Sequence, residues 1–112
     1  MFVRKISLYL KPDTITEFVK AMDSDIIPLL RKQQGFQDAI TLAVPGGKEI
    51  VAISFWDQEE NAKAYHTSGY PEELKILENF LDGTPHVRML DVVRSTVHKV
   101  PLTCDSLTVT AR

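Results

Sequence analysis

The chain has 112 residues, 44% of them hydrophobic and 25% charged. That balance suits one globular domain; it excludes a disordered chain and leaves no room for two cores. With 13 Lys and Arg against 15 Asp and Glu the net charge is −2, too near neutral for a protein that works by neutralising phosphates, so nucleic acid is not an expected partner. Cys104 stands alone, which rules out an internal disulfide. Met1-Phe2-Val3-Arg4-Lys5 lacks the pattern of a secretory leader, and no apolar run approaches the roughly 18 residues that span a bilayer. A cytoplasmic protein without membrane contact is the expectation.

Phe2 to Leu10 reads as a strand, with Phe2, Ile6, Leu8 and Leu10 on one parity and Arg4 interrupting them. Thr14-Ile15-Thr16-Glu17 has the form of a capping box and opens a helix. Ile15, Phe18, Val19, Met22, Ile26, Leu29 and Leu30 make its apolar stripe. Pro28 falls inside that stripe and predicts a kink or short break near Ser24 to Ile27. Gly35 suits the left-handed position after the helix. Phe36 to Val44 and Glu49 to Trp56 are predicted strands joined by the turn Pro45-Gly46-Gly47. Asp57-Gln58-Glu59-Glu60 again resembles a capping box and opens a short helix through Tyr65 or His66. Ser68-Gly69-Tyr70-Pro71 interrupts it, and Pro71 fits the first turn of a second piece carrying Leu74, Leu77 and Leu81. His86 to Val97 is the fourth predicted strand. Residues 1–100 thus form one domain and 101–112 a tail, in which Leu107 and Val109 hint at an edge strand touching a partner subunit.

The order strand, helix, strand, strand, helix, strand predicts an α+β, ferredoxin-like βαββαβ fold: a four-stranded antiparallel sheet with its helices on one face. Parity assigns Phe2, Ile6, Leu8, Ile40, Leu42, Val51, Ile53 and Phe55 to the helix side. The opposite set, Val3, Tyr9, Ala39, Thr41, Ala43, Ile50, Ala52, Ser54 and Trp56, is too apolar for a face turned to water. Two such sheets packed face to face, a homodimer, would cover it.

Three stretches then carry a resemblance: Ile27-Pro28-Leu29-Leu30-Arg31 leading to Gln34-Gly35-Phe36; the apolar strand Ile50 to Trp56 with the acidic helix start behind it; and the closing strand Val87 to Val97. Over roughly residues 2 to 98 the chain resembles the antibiotic biosynthesis monooxygenase-like domains of the dimeric α/β-barrel superfamily. The resemblance implies a homodimeric barrel and a cleft between helices and sheet for a small aromatic or quinol-type ligand. It also implies oxidation without metal or flavin, and, as an alternative, a non-catalytic barrel that holds a small hydrophobe. The haem-degrading branch is a poor match: Pro71 to Asp82 contains no His, the first strand offers Ser7 but no Asn, and Tyr65 stands at about the place of that branch's helix Trp.

Four residues are the candidate site. Trp56, where the third strand meets the second helix, is placed to stack on an aromatic ligand, or to fill the core or the dimer interface. Tyr65 and His66 close the first helix piece just before Gly69; a phenol and an imidazole there suit a quinone-like oxygen or a proton transfer. Adjacent helical residues do not share a face. Tyr65, three residues after Ala62, is the inward one and His66 the surface one. Arg88 on the fourth strand shares a parity with His86, Arg94 and His98. Its guanidinium holds a ligand oxyanion or serves as a rim charge or interface ion pair, and Arg4 and Lys5 carry the same ambiguity. The histidines show no ligand spacing for a metal, and Gly46-Gly47 sits in a hairpin, not a phosphate cradle; no metal and no cofactor are expected. Cys104, without a nearby base, reads as a free thiol.

Overall fold

The computed structural model describes residues 1–96 of the chain. Strand β1 runs Phe2–Tyr9, α1 Ile15–Ala21, a π-helical turn Met22–Ile26, α2 Ile27–Arg31, β2 Phe36–Ala43, β3 Glu49–Trp56, α3 Glu59–Ser68, α4 Tyr70–Leu77 and β4 His86–Asp91. The sheet order is β2-β3-β1-β4, and all neighbours are antiparallel. This is the predicted ferredoxin-like sheet. Val97, His98, Cys104 and the predicted tail lie outside the described residues.

The break expected from Pro28 takes the form of the π turn. Proline has no amide to give to the carbonyl four residues back, and it sits in the first turn of α2, where that amide is not needed. The extra residue in the turn lets both flanks keep an apolar side on the sheet: Phe18 before it, Met22 and Ile26 within it and Leu30 after it are all buried. Gly35 closes this helical run with φ +83°, the left-handed conformation expected of it. A side chain there would also collide with Asp57 and Asn61, which press against its Cα.

Neither predicted capping box forms. Thr14 Oγ1 donates backwards to the Lys11 carbonyl at 2.7 Å, and Asp57 accepts from Asn61 Nδ2 at 2.7 Å. The fourth strand is also shorter than predicted and ends at Asp91. Its sole strand partner among the described residues is β1, whose first paired residue, Phe2, lies opposite Asp91. Past it, Val92 N–H still donates to the Met1 carbonyl at 3.1 Å, and no further ladder forms among the described residues.

The faces of β2 and β3 are inverted relative to the parity assignment. The register pairs Phe2 with Trp56, Arg4 with Ser54, Ile6 with Ala52 and Leu8 with Ile50. Directly paired residues share a face, so Ile50, Ala52, Ser54 and Trp56 lie with the buried side of β1, under the helices. A bulge between Phe36 and Asp38 adds one residue to β2. Phe36 and then Ala39, Thr41 and Ala43 therefore face the helices, while Ile40 and Leu42 turn away. The outer face carries Val3, Ile40, Leu42, Val51, Ile53, Phe55 and Leu90, of which Ile40, Leu42 and Leu90 are 44, 50 and 37% exposed. The residues differ from the prediction, but the inferred property, an apolar outer face, holds and is stronger. Among the described residues no helix is long and apolar enough to cross a membrane.

Candidate functional site

Strand β1 brings a charge under the helices. Arg4 occupies the apolar parity between Phe2 and Ile6 and is 1% exposed. Its register neighbours are Ser54 on β3 and Met89 on β4. Opposite, Glu73 is 5% exposed although it is a carboxylate, because α4 turns positions 73 and 77 inward together. The two charges stand 3.9 Å apart, Nη1 to Oε1, an ion-pair distance too long for a hydrogen bond. Tyr65 closes the gap by donating its hydroxyl hydrogen to Glu73 Oε1.

Aromatic rings wall this pair in. The Arg4 guanidinium lies 4.1 Å from the centroid of the Tyr70 ring and 5.3 Å from that of Tyr65, geometry in which the ring faces attract the cation. Tyr65 stacks on Trp56 with centroids 5.3 Å apart, and Phe36 meets the indole edge-on at 5.7 Å. Trp56 Nε1 donates to Ser54 Oγ at 2.9 Å, and Ser54 in turn donates to the Arg4 carbonyl at 3.4 Å. On the outside, His66 stacks on Tyr70 at 5.2 Å. Its Nδ1 lies 3.2 Å from Arg4 Nη2. A guanidinium can only donate, so Nδ1 is the acceptor and the imidazole is neutral. Gly69 makes the helix break possible here, since a Cβ on it would stand 2.4 Å from a Tyr65 ring carbon.

The electrostatics follow from burial. Desolvation pulls the Arg4 guanidinium below its ordinary value, against the opposing pull of Glu73. Burial pushes Tyr65 far above the usual phenol range, and Glu73 reinforces it. Glu73 is raised by burial, with the Tyr65 hydrogen bond and the Arg4 charge acting the other way. His66 is lowered, first by desolvation and then by Arg4. The phenol therefore stays protonated, while the carboxyl is shifted toward neutrality.

Two neighbouring spaces lie between the helices and the sheet here. The inner one, about 20 Å3, is lined by Arg4, Ser54 and Glu73 together with Ile6, Met22, Ile26 and Leu30, and has room for about one water-sized group. The outer one, about 240 Å3, lies between α1, the π turn and the sheet, lined by Ile15, Phe18, Val19, Met22, Asp23, Ile27, Thr41, Ala43 and Ile50. Met22 and Thr41 border both. Among the described residues no group of three or more His, Cys, Asp or Glu side chains is placed to hold a metal ion.

No family model matches the chain, and no curated protein matches it in sequence. Solved structures do match in shape. Protein NE2512 of Nitrosomonas europaea, of unknown function, aligns with a TM-score of 0.70 at 14% identity over 91% of this chain and 95% of its own. The monooxygenase from the ActVA-Orf6 gene of Streptomyces coelicolor, solved with nanaomycin D, gives 0.68 at 18% identity over 88% and 92%. SnoaB, a cofactor-independent oxygenase of Streptomyces nogalater, gives 0.69 at 14% identity over 87% and 97%. The chain has the fold of the antibiotic biosynthesis monooxygenases.

Within that fold the structure brings three of the four predicted site residues together. Tyr65, His66 and Trp56 surround Arg4, with Tyr65 buried and His66 exposed, as the helix argument required. Arg88 does not join them. It pairs with Lys5 on the outer face of the sheet and is exposed, because its parity on β4 is the one turned from the helices. The guanidinium of the cleft is Arg4. Glu73 is not among the sequence-derived candidates; its signal is a carboxylate four residues before Leu77, on the inward side of the helix.

Proposed function

We propose that the chain is a homodimeric, monooxygenase-like protein that binds a small hydroxylated aromatic or quinol-type molecule in the cleft between helices and sheet and oxidises it without a resident cofactor. One observation carries the reading: an apolar groove about 240 Å3 in volume shares its Met22 and Thr41 border with a small, oxygen-sized recess bearing a guanidinium and a carboxylate. That shape suits a planar molecule with one oxygen substituent leading. The rings would lie against Phe18, Ile27 and Ile50 and the oxygen against Arg4. The groove is small by the standard of ligand sites, ~300–1,000 Å3, which favours one or two fused rings over larger skeletons.

The protein's part would be orientation, a dry cavity and hydrogen bonds to a developing anion; electrons would pass from the deprotonated substrate to oxygen. Tyr65 and Trp56 position the floor, and His66 with Tyr70 shields Arg4 from water. The apolar outer face supports the dimer, since packing two copies on it would remove Ile40, Leu42 and Leu90 from water. Oxygen consumption with a panel of anthrones and quinols tests the activity. The expected result is turnover above buffer for at least one of them, reduced in Arg4→Met. No turnover for any compound with the folded dimer overturns it.

A binding role without turnover is favoured by one feature: the Tyr65 hydroxyl is already engaged by Glu73 and is not free for a reacting oxygen. Thermal stabilisation by these compounds without oxygen consumption would establish that reading.

A further inference from the structure

We propose that Glu73 is the proton acceptor for the ligand's hydroxyl and that Arg4 Nε receives the resulting oxyanion. The inference rests on the aromatic-binding reading of the cleft and adds the residue that handles the proton.

Arg4 Nη2 faces His66, Nη1 faces Glu73, and Nε is a buried side-chain nitrogen with no hydrogen-bond partner among the described residues. An unpaired buried donor is costly, about 1–3 kcal/mol, and this one belongs to a side chain that lines the oxygen-sized recess. A ligand oxygen entering the recess meets the cation and the carboxylate together.

The charge balance favours transfer at this place. The O–H bond of the ligand breaks and an O–H bond forms on the Glu73 carboxylate; no electrons are exchanged. A negative charge leaves Glu73 and appears on the ligand oxygen, while Arg4 faces both. The buried site therefore keeps the same net charge, so the step escapes the large cost of creating a new charge away from water. The groups facing Glu73 hold it ready. Arg4 approaches from β1, Tyr65 donates from α3, and Tyr70 lies on its own helix. From the π turn Met22 and Ile26 are apolar, and Asp23 and Asp25 are exposed. Tyr65 stays protonated and so remains a donor to Glu73 before and after the transfer. Burial, by raising Glu73, brings its proton affinity closer to that of a phenol.

The test uses 1-naphthol, neutral in bulk solution at pH 7, added to the full chain in weak buffer with an indicator dye. The expected result for the wild type is the absorption spectrum of bound naphtholate with no proton released to the dye. In Glu73→Gln the anion would bind with release of about one proton per ligand. Binding of naphthol with the neutral spectrum, or wild-type naphtholate binding with full proton release, overturns the role of Glu73 and leaves the cleft reading intact. Absence of any binding removes the cleft reading and this inference together. If Glu73→Gln fails to fold, the wild-type spectrum and proton count decide by themselves.

Discussion

Replacing Tyr65 by Phe removes one oxygen atom from the cluster, and its effect should depend on pH in a defined direction. The lost hydrogen bond ends on Glu73 Oε1, inside a site closed to water. With Glu73 ionised, a hydrogen bond to a charged acceptor is worth about 1.5–3 kcal/mol; with Glu73 protonated, about 0.5–1.5. At about 4 °C per kcal/mol for a domain of this length, the midpoint should fall by roughly 6–12 °C on the alkaline side of the Glu73 titration and roughly 2–6 °C on the acid side. Linkage gives the same sign. Burial raises the folded value of Glu73 above its ordinary 4.5, so the native chain holds a proton over a window where the unfolded chain has lost it. That contribution is complete below the ordinary value and vanishes as pH rises through the folded one. Tyr65 opposes the rise, so Tyr65→Phe widens the window and steepens the loss of stability toward alkaline pH. Thermal unfolding followed by Trp56 fluorescence, at fixed protomer concentration and across a pH series, measures it. An equal loss across the whole series would refute the argument.

Three other substitutions have expected outcomes. Gly69→Ala places a methyl group 2.4 Å from the Tyr65 ring. The ring must shift off Trp56, costing about 1–3 kcal/mol, and near-ultraviolet circular dichroism should change with it. Ile40→Lys combined with Leu42→Lys charges the outer face; sedimentation should show monomers, against the dimer proposed for the wild type, and an unchanged dimer would place the subunit contact elsewhere. Arg88→Ala should leave the affinity for 1-naphthol unchanged, whereas Arg4→Met should lower it at least tenfold, read from the quenching of Trp56 fluorescence.

What the sequence made legible was whatever has a strong local signal. The turn Pro45-Gly46-Gly47 produced the hairpin, Pro28 the irregular helix, and Gly69-Tyr70-Pro71 the break between α3 and α4. Helical spacing told the inward Tyr65 from the outward His66. The face of β3 was not legible, because Ile50, Val51, Ala52, Ile53, Phe55 and Trp56 leave both parities apolar and period two carries no information. The pairing of Phe2 with Trp56 decides it, and that is a long-range contact. The bulge near Gln37 is a tertiary choice as well, and it reversed the parity of everything after it in β2. Arg4 and Glu73 each interrupt an apolar pattern. Singly, each looks like an exception; only the fold shows that the two exceptions face one another.

The π turn of Met22–Ile26 has a consequence for which length variants of this chain can exist. Asp23, Ser24 and Asp25 are polar and exposed and look as dispensable as a surface loop. Removing one of them would wind the segment back to regular α geometry, and at about 100° per residue the shortened span brings Phe18 and Leu30 within about 20° of one face. Phe18 on one flank and Ile26 with Leu30 on the other would then stay on the sheet. A single-residue deletion in that stretch should therefore be tolerated, whereas a single-residue insertion should swing one flank out of the core, so the turn is a place where the chain can shorten but not lengthen.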